Sequence, residues 1–478
     1  MRSGMRHGKG VMPTPGASSP QPVSPLYAWA LWCGGLDEAK NIYTTAETYR
    51  QFGASDNAVG PITSSGKAIS DSSRAAYWDK VYKVSDWQIN HHSQGKSIDA
   101  INNWPGNGAS AYDEPAKVAA YDDLNNNGTY EPAKGELPAM LGNQMLYSVN
   151  NDAAFKSETG AASMPLEVHT YTYGYNCKKG ILENTFFVDY YLINKSKSDF
   201  DSFYVGMWSD IDLGAYFDDA MGSVPNKAFF SYNYSDSDAL YLDSMPMISV
   251  YPVNKDLSKF MYYANNFSVT GNPRNGTAKD YYGYLKGNWK DGSCLQEGGN
   301  GYTPNSQSSC TDFMFNGNPF DTTSWSMVNE VRYGLDIRGL GSVYFGDFKA
   351  GDTLKITWAF SAHWKHHRNR EKQYFSMIDN IDYIKGLYKN GGFETLCKTP
   401  LSIQKTEATD NIAVYPNPSK RLFTIEAPEK ATYEVYDSNG KLVQTIVANG
   451  RTRFSLTHSG IYLLRNSSSG AQKRLVVY

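Results

Sequence analysis

The pattern of hydrophobic and polar residues along most of the chain is that of β-strands. Between residues 24 and 393, runs such as TYTYGYN (170–176) and TFFVDYYLIN (185–194) combine β-branched and aromatic residues with partial alternation. Clusters of Asn, Asp, Gly and Ser separate such runs at the intervals expected of an antiparallel sandwich. We therefore predict a mainly β, sandwich-like domain over residues 26–396.

Two segments of this domain have helical patterns instead. SDWQINHHS (85–93) is short and begins with Ser85, a good N-cap residue. NREKQYFSMIDNIDYIKGLYKNGG (369–392) repeats apolar residues on one helical face and ends in Asn-Gly-Gly, a typical helix stop. The sequence thus predicts one long helix near the C-terminal end of the large domain.

The remaining residues divide into a leader, a linker and a second β domain. Residues 1–25 are rich in Gly, Pro and Ser and contain no apolar signal-peptide core, which predicts a flexible leader. The polar stretch 397–410 is predicted to be a linker. Residues 411–478 contain seven short runs separated by turn residues, which predict a small Ig-like β-sandwich. The runs are Ile412–Tyr415, Leu422–Glu426, Thr432–Asp437, Lys441–Val447, Thr452–Leu456, Gly460–Arg465 and Gln472–Tyr478.

Composition narrows the class of protein but not its activity. The 478 residues are 41% hydrophobic and 19% charged, which is a globular composition with room for at least two cores. A net charge of −3 gives no reason to expect nucleic acid or an anionic membrane as a partner. No apolar run approaches the roughly 18 residues of a membrane helix. The 36 tyrosines suit two-sided sheets and binding surfaces.

The five cysteines are scattered and contain no CxxC pair, so a thiolate zinc site is not expected. Cys294 and Cys310 bracket a loop rich in Gly, Ser and Asn. A disulfide could close this loop in an oxidising compartment, and free thiols are the equal alternative.

The sequence lacks the GxSxG, HExxH and GxxxxGK[ST] motifs, so we do not expect a common catalytic centre. His363, His366 and His367 follow a predicted strand and are interpreted as solvated imidazoles. Acidic pairs could serve glycoside hydrolysis, which needs two carboxylates about 5–9 Å apart. An extracellular hydrolase that uses acids of the segment 210–219 is therefore the alternative to a binding protein.

The segment DDLNNNGTYEPAKGE (122–136) has the pattern of a calcium-binding loop. Asp123, Asn125 and Asn127 supply oxygen ligands at every second position, and Gly128 permits the tight turn that aims them inward. An Asn/Gly turn without an ion is the alternative interpretation. The acidic residues Asp210, Asp212, Asp218 and Asp219 are a second, less regular candidate.

The second half of the loop departs from an EF-hand. Thr129 is expected to contribute its carbonyl oxygen, and Glu131 its side chain directly or through water. Lys134 occupies the twelfth position, where an EF-hand has a bidentate Glu. The two Asn ligands lower the charge of the site, which predicts a dissociation constant of about 10⁻⁴–10⁻³ M.

The C-terminal segment resembles a known family. VYPNPSKRLFTIEA (414–427), YEVYDSNGKLVQT (433–445), SGIYLLR (459–465) and the terminal KRLVVY (473–478) are similar to the type A sorting domain of the type IX secretion system. The resemblance implies that residues 411–478 engage the type IX secretion machinery. It further implies Sec export, passage through the outer membrane of a Bacteroidetes-type cell, and removal of the segment. A signal peptide upstream of Met1 is then expected.

Most of residues 26–393 resembles a group of secreted proteins that carry the same sorting domain. Among the similar blocks are YDDLNNNGTYEPAKGELPAMLGNQMLYSVNND and YFGDFKAGDTLKITWAFSAHW. This likeness implies an extracellular location and calcium-type loops but no reaction, and it implies that Glu136 supplies the closing carboxylate. We therefore expect a secreted or cell-surface, calcium-stabilised β-rich protein that binds polysaccharide.

Overall fold

The computed structural model separates the chain into two compact units, with the boundary between Cys397 and Lys398. The predicted leader, except for its last two residues, and the predicted linker lie outside the described residues. The described residues are 24–50, 53–176, 180–238, 240–304, 309–331, 334–366, 368–393, 412–437, 441–468 and 472–478.

The first unit contains fourteen of the named strands and six α-helices within its described residues. The strands are β1 (Leu26–Leu36), β2 (Ile42–Thr45), β3 (Ala58–Val59), β4 (Tyr82–Ser85), β5 (Gln144–Asn151), β6 (Leu166–Gly174), β7 (Thr185–Asn194), β8 (Phe200–Ile211), β9 (Asp219–Val224), β10 (Ala228–Asn233), β11 (Met247–Pro252), β12 (Lys259–Ala264), β13 (Ile337–Phe348) and β14 (Thr353–His363). The helices are α1 (Ser72–Trp78), α2 (Asp86–Ser93), α3 (Asp99–Asn102), α4 (Ala278–Leu285), α5 (Met327–Glu330) and α6 (Arg370–Lys389).

These strands form two antiparallel sheets. The smaller sheet has the order β12-β13-β8-β1-β2, and the larger one the order β3-β5-β6-β7-β14-β11-β10-β9, with β4 beside β5. The run TFFVDYYLIN is β7, as its alternation predicts, and it lies inside the larger sheet between β6 and β14. The mainly β fold predicted for this unit is confirmed.

The two sheets share one hydrophobic core. Trp29 of the smaller sheet lies 5.7 Å, between ring centroids, from both Phe186 and Phe360 of the larger sheet. Gly341 on β13 allows close approach of the sheets, because a Cβ there would lie 2.7 Å from the ring of Phe229. Most of the aromatic side chains that are named as buried belong to this core, so they stabilise the sandwich.

Both predicted helices are present. Helix α2 begins after Ser85, whose side chain forms a capping box with Gln88. Helix α6 begins after Asn369, which accepts a hydrogen bond from the Lys372 backbone N–H at 2.9 Å. The sequence did not predict α4, because its three tyrosines are more typical of a strand.

The structure decides between the disulfide and the free thiols that the sequence left open for Cys294 and Cys310. Cys294 and Cys310 form a disulfide, with their Cα atoms 5.6 Å apart. Cys33 is a buried free thiol, and burial raises its pKa. The loop between Cys294 and Cys310 is thus closed covalently, which suits an oxidising compartment.

The second unit is a five-stranded sheet. Its strands are β15 (Ala413–Tyr415), β16 (Leu422–Tyr436), β17 (Leu442–Ser455), β18 (Gly460–Asn466) and β19 (Gln472–Val477). They follow the order β15-β16-β18-β19, with β17 beside β16. Two pairs of the seven predicted runs are joined in the long strands β16 and β17. Phe423, Val435 and Leu475 are among the fully buried residues of its separate core.

We expect limited proteolysis to cut the chain first within residues 397–410. The composition of this stretch is that of an exposed linker, which a protease can bind in an extended conformation. Mass spectrometry of the first fragments identifies the cut. An early cut within 170–194 instead contradicts the fold, because β6 and β7 lie inside the larger sheet.

Candidate calcium loop, carboxylate cluster and sorting domain

The predicted calcium loop is a turn held at its base by backbone hydrogen bonds. A β-bridge pairs Tyr121 with Pro138, and the Asp122 N–H donates to the Leu137 carbonyl at 2.9 Å. The base is also tied to the core, because the buried Tyr130 donates its hydroxyl hydrogen bond to the Ile101 carbonyl at 2.8 Å. The loop therefore has a fixed frame.

Within this frame, side-chain oxygen atoms of the first half accept hydrogen bonds from the backbone of the turn. The Asp123 carboxylate accepts hydrogen bonds from the backbone N–H groups of Asn127 at 3.1 Å and Gly128 at 2.9 Å. The Asn125 Oδ1 accepts from the Asn127 N–H, and the Asn127 Oδ1 accepts from the Thr129 N–H. Gly128 has a φ of 73°, a value that glycine adopts without strain.

Two glutamates join the second half to the first. The fully buried Glu136 accepts hydrogen bonds from the Leu124 N–H at 3.2 Å and the Glu131 N–H at 2.7 Å. Glu131 accepts from the side-chain amides of Asn125 and Asn127 at 3.0 and 2.8 Å.

Lys134 contacts this same glutamate, with its Nζ 2.7 Å from Glu131 Oε1. The hydrogen bond from Lys134, followed by those from Asn125 and Asn127, lowers the pKa of Glu131 to about 2. Lys134 occupies the position of the closing Glu of an EF-hand, and it forms an ion pair with Glu131 of the loop.

Hydrogen bonds connect the six predicted ligand residues within one turn, although the carboxylates of Asp123, Glu131 and Glu136 do not all lie within 4.8 Å of one another. Carboxylate, amide and backbone oxygens are the donors that calcium prefers, so the residues present fit this ion. The six residues are Asp123, Asn125, Asn127, Thr129, Glu131 and Glu136.

A second group of acidic residues lies at the end of β8. Asp210 is near the end of this strand, Asp212 follows it, and Asp336 immediately precedes β13. Because β8 and β13 are antiparallel neighbours, the end of one meets the start of the other. One carboxylate oxygen from each of the three residues lies within 4.8 Å of the others. We refer to these three residues and Arg338 as the carboxylate cluster.

Arg338 links the members of the carboxylate cluster. This buried side chain forms an ion pair with Asp336 and approaches Asp210 with its Nε at 3.5 Å. Tyr49 donates a hydrogen bond from its hydroxyl to Asp210 Oδ2 at 2.5 Å, and its ring centroid lies 5.3 Å from the guanidinium carbon. The guanidinium therefore provides the positive charge among the three carboxylates.

Burial raises the pKa of two of these carboxyl groups. For Asp210, burial outweighs the opposing effect of Arg338 and raises the pKa to about 7. For Asp212, burial again outweighs Arg338 and raises the pKa to about 6. Asp210 is thus partly protonated at neutral pH, which is the state that a general acid requires.

Asp218 and Asp219, which the sequence grouped with this cluster, occupy the next turn. Asp219 accepts a hydrogen bond from the Leu213 N–H at 2.8 Å. Burial raises the pKa of both groups. The sequence did not point to Asp336, Arg338 or Tyr49, because sheet pairing brings the first two to Asp210 and core packing brings Tyr49 there.

One of the three histidines, His363, differs from its predicted environment. His363 is buried, and its Nε2 lies 2.8 Å from the Ser249 hydroxyl. Burial lowers its pKa to about 3, so it is a neutral core residue and not a solvated imidazole. His366 is partly exposed, and His367 lies outside the described residues.

The second unit was compared with known protein families. Residues 413–478 match the family model described as the secretion system C-terminal sorting domain. Residues 413–478 are a sorting domain. This confirms the resemblance seen in the sequence, and the protein is therefore secreted or displayed at the cell surface. Among the described residues, none of the helices combines the length and apolar character needed to span a bilayer.

The sorting domain ends in a paired strand. Strand β19 pairs with β18 along its whole length, with Gly460 opposite Val477 at one end and Arg465 opposite Gln472 at the other. It is the last strand in the order of the sheet. Past its end, the Tyr478 N–H donates a hydrogen bond to the Ser419 carbonyl at 3.1 Å. The terminal residues are thus part of the folded domain.

The comparison with solved structures includes a polysaccharide lyase. This chain is 8% identical to it, the alignment covers 65% of this chain and 34% of the lyase chain, and the TM-score is 0.20. The chain therefore spans about a third of that structure, and so low a similarity carries no argument. No curated protein matches the chain.

We expect the Asp210→Asn variant to gain stability relative to the wild type between about pH 5 and pH 8. Asp210 has a raised pKa when folded, so the folded protein retains a proton that the unfolded chain releases. The wild type loses the stability due to this proton as the pH rises to about 7. The variant has no such loss, because Asn does not titrate. The pKa rises from its ordinary value of 3.8 to about 7, so at about 1.4 kcal/mol per pH unit the gain reaches at most about 4 kcal/mol. The groups facing Asp210 are Arg338, Asp212, Asp336 and Tyr49.

Urea unfolding followed by tryptophan fluorescence measures this gain. All 10 tryptophans precede residue 397, so the signal does not report on the sorting domain. The exposed Asp379→Asn variant is the matched control, and it removes a carboxylate without burial. A pH-independent difference between wild type and the Asp210→Asn variant contradicts the raised pKa.

Proposed function

We propose that the first unit is an extracellular, calcium-stabilised binding protein whose partner is a polysaccharide. The oxygen-rich, hydrogen-bonded turn at residues 123–136 supports the calcium part of this proposal. The exposed aromatic side chains support the polysaccharide part, and they include Tyr27, Trp87 and Tyr216. The sorting domain supports an extracellular or cell-surface location for this unit.

The buried Glu136 is the observation that carries the proposal for calcium. Its carboxylate is fully buried, and its described hydrogen bonds come from two backbone N–H groups. An ionised carboxylate loses several kcal/mol of hydration on burial unless a charge or hydrogen bonds compensate. Each oxygen of the Glu136 carboxylate accepts one of these hydrogen bonds, and a divalent cation at the loop adds to that compensation.

The charge of the loop suits an extracellular calcium concentration. Asp123, Glu131 and Glu136 provide three carboxylates, and Lys134 pairs with Glu131. Neutral Asn125 and Asn127 replace the further carboxylates of tighter sites. Weak binding, with a dissociation constant of about 10⁻⁴–10⁻³ M, follows from this ligand set.

A screen of purified protein on immobilised polysaccharides, with calcium and with a chelator, tests both parts of the proposal. We expect retention by at least one polysaccharide and weaker retention when calcium is removed. Absence of retention from every polysaccharide contradicts the binding function. Equal retention with and without calcium contradicts its dependence on the loop.

The carboxylate cluster favours a second candidate function, that of an extracellular glycoside hydrolase. Asp210 and Asp212 have raised pKa values, and oxygens of these two side chains lie within 4.8 Å of each other. A retaining hydrolase requires an acid and a nucleophile about 5–5.5 Å apart. Release of reducing ends from a retained polysaccharide tests this candidate.

A further inference from the structure

One end of the sorting domain has apolar side chains on both faces of its sheet. On the inner face, Val435, Leu464 and Leu475 are fully buried in the core of the domain. Side chains alternate between the two faces along each strand, so the neighbouring Tyr436 and Leu463 point to the outer face. An antiparallel sheet with one solvated face normally carries polar residues on that face. This end of the outer face departs from that rule.

The pairing of four strands places five outer apolar side chains next to one another. Leu442 of β17 lies opposite Tyr436 of β16, which in turn lies opposite Leu463 of β18. Two positions along β18 from Leu463, Ile461 lies opposite Val476 of β19. Side chains that are directly opposite each other have Cβ atoms about 4.5–5.5 Å apart. We refer to these five residues as the outer patch.

Most of the outer patch is open to solvent within the described residues. Ile461 is 56% exposed, Leu442 is 47% exposed and Leu463 is 37% exposed. The other two members are half-buried. Single exposed apolar residues are ordinary, whereas neighbours that form one continuous surface mark an interaction site.

The outer patch is confined to the end of the sheet at which the chain terminates. In the adjoining row of the same face, Thr445 and Arg465 lie on either side of Glu434, so this row is polar. The exposed Tyr478 follows directly after β19, the strand that carries Val476. A general shortage of polar residues on this face therefore does not explain the patch.

Basic residues lie at the rim of the outer patch. Arg474 is opposite Leu463 on the same face, and Lys441 directly precedes Leu442. Both basic side chains are exposed. Residues 411–478 contain nine Lys and Arg and four Asp and Glu, so the whole domain is positively charged. A partner surface that is apolar at its centre and acidic at its rim complements this arrangement.

We propose that the outer patch is the surface by which a component of the secretion machinery recognises the sorting domain. The match of residues 413–478 to a sorting domain implies that such a component binds this unit. Its contact surface is an apolar groove with acidic side chains at the rim. This inference rests on the sorting domain and is independent of the proposed binding of calcium and polysaccharide.

Secretion of the full chain by type IX-competent cells tests the outer patch. We expect the double variant Ile461→Gln and Leu463→Gln to reach the medium and cell surface about tenfold less than the wild type, because the partner then covers amides in place of apolar groups. The double variant Ile461→Val and Leu463→Met keeps the surface apolar and is expected to be secreted normally. The matched control is the Leu422→Gln variant, which changes an exposed leucine at the other end of β16 and is expected to be secreted like the wild type.

Reversal of a single charge tests the basic rim. The Arg474→Glu variant is expected to be secreted about fivefold less than the wild type, because a carboxylate then faces the acidic rim of the partner. The Arg453→Glu variant makes the same change at an exposed position toward the other end of β17 and is the matched control. Equal secretion of these two variants contradicts the acidic rim.

Limited proteolysis of the retained protein separates a loss of recognition from a loss of folding. The sorting domain of the double Gln variant is expected to resist proteolysis as it does in the wild type, because both changed side chains are exposed. Normal secretion of the double Gln variant, or an equal loss in the Leu422→Gln variant, overturns the inference.

A photoreactive amino acid in place of Leu463 identifies the partner in cells, and it decides the inference even if the double Gln variant is unfolded. The same amino acid in place of Leu422 is the control. Crosslinks to a protein of the secretion machinery from position 463 but not from position 422 support the inference. Crosslinks from position 463 only to the first unit of the same chain, only to a second copy, or to no protein overturn it.

Discussion

Deletion of residues 473–478 is expected to abolish secretion and leave the protein in the periplasm of a type IX-competent cell. These residues form nearly all of β19, which lies at the edge of the sorting domain sheet. The deletion removes Leu475 and Val477 from the core of the domain, together with the hydrogen bonds that join Val476 and Tyr478 to Ser419. Immunoblots of periplasm and medium measure the loss.

A point substitution distinguishes recognition from simple unfolding. The Lys473→Ala variant changes an exposed side chain of β19, whereas the Leu475→Ala variant removes a fully buried one. We expect the Leu475→Ala variant to destabilise the domain by about 2–5 kcal/mol and to reduce secretion, with a smaller effect of the Lys473→Ala variant. Normal secretion after the full deletion contradicts the role of the terminal strand. Mass spectrometry of the secreted form is expected to show that residues 411–478 are absent.

Calcium is expected to raise the melting temperature of chelator-stripped wild-type protein, and the Asp123→Ala variant is expected to lose this effect. At 10 mM calcium and a dissociation constant of about 10⁻⁴–10⁻³ M, binding adds about 1.4–2.7 kcal/mol to the free energy of unfolding. The side chain of Asp123 accepts two backbone hydrogen bonds in the loop, so its loss also loosens the turn. Melting with and without calcium separates the two effects.

The Asn125→Asp variant provides the opposite change. It adds a carboxylate at a predicted ligand position, so it is expected to bind calcium more tightly than the wild type. The Asp379→Asn variant is again the control, because it removes an exposed carboxylate that lies in α6, outside the loop 123–136. A calcium response that survives in the Asp123→Ala variant shows that the loop is only a polar turn.

Local patterns predicted much of the fold. The run 185–194 is a strand, and the helices after Ser85 and Asn369 have the caps that their sequences indicate. In the sorting domain, the sequence predicted two separate strands, at residues 422–426 and 432–437. The structure has one strand, β16, whose pairing with β17 shifts in register between Ala427 and Ala431. A bulge and a turn have similar sequence signals, so the number of strands could not be read from the runs.

Contacts distant in sequence were not predictable in the same way. A calcium loop could be predicted from the sequence because its expected ligands lie within 14 positions of one another, from Asp123 to Glu136. In the carboxylate cluster, Asp210 meets Arg338 and also contacts Tyr49, and only the pairing of β8 with β13 and the packing of the core bring these residues together. Burial likewise makes His363 neutral. Its position at the end of a strand did not predict that burial.

Isothermal titration of chelator-stripped protein with calcium tests the central claim of a calcium-stabilised extracellular protein most directly. We predict saturable binding at the loop, with a dissociation constant of about 10⁻⁴–10⁻³ M, that the Asp123→Ala variant lacks. Absence of binding heat at 10 mM calcium, or an unchanged titration of that variant, contradicts the claim.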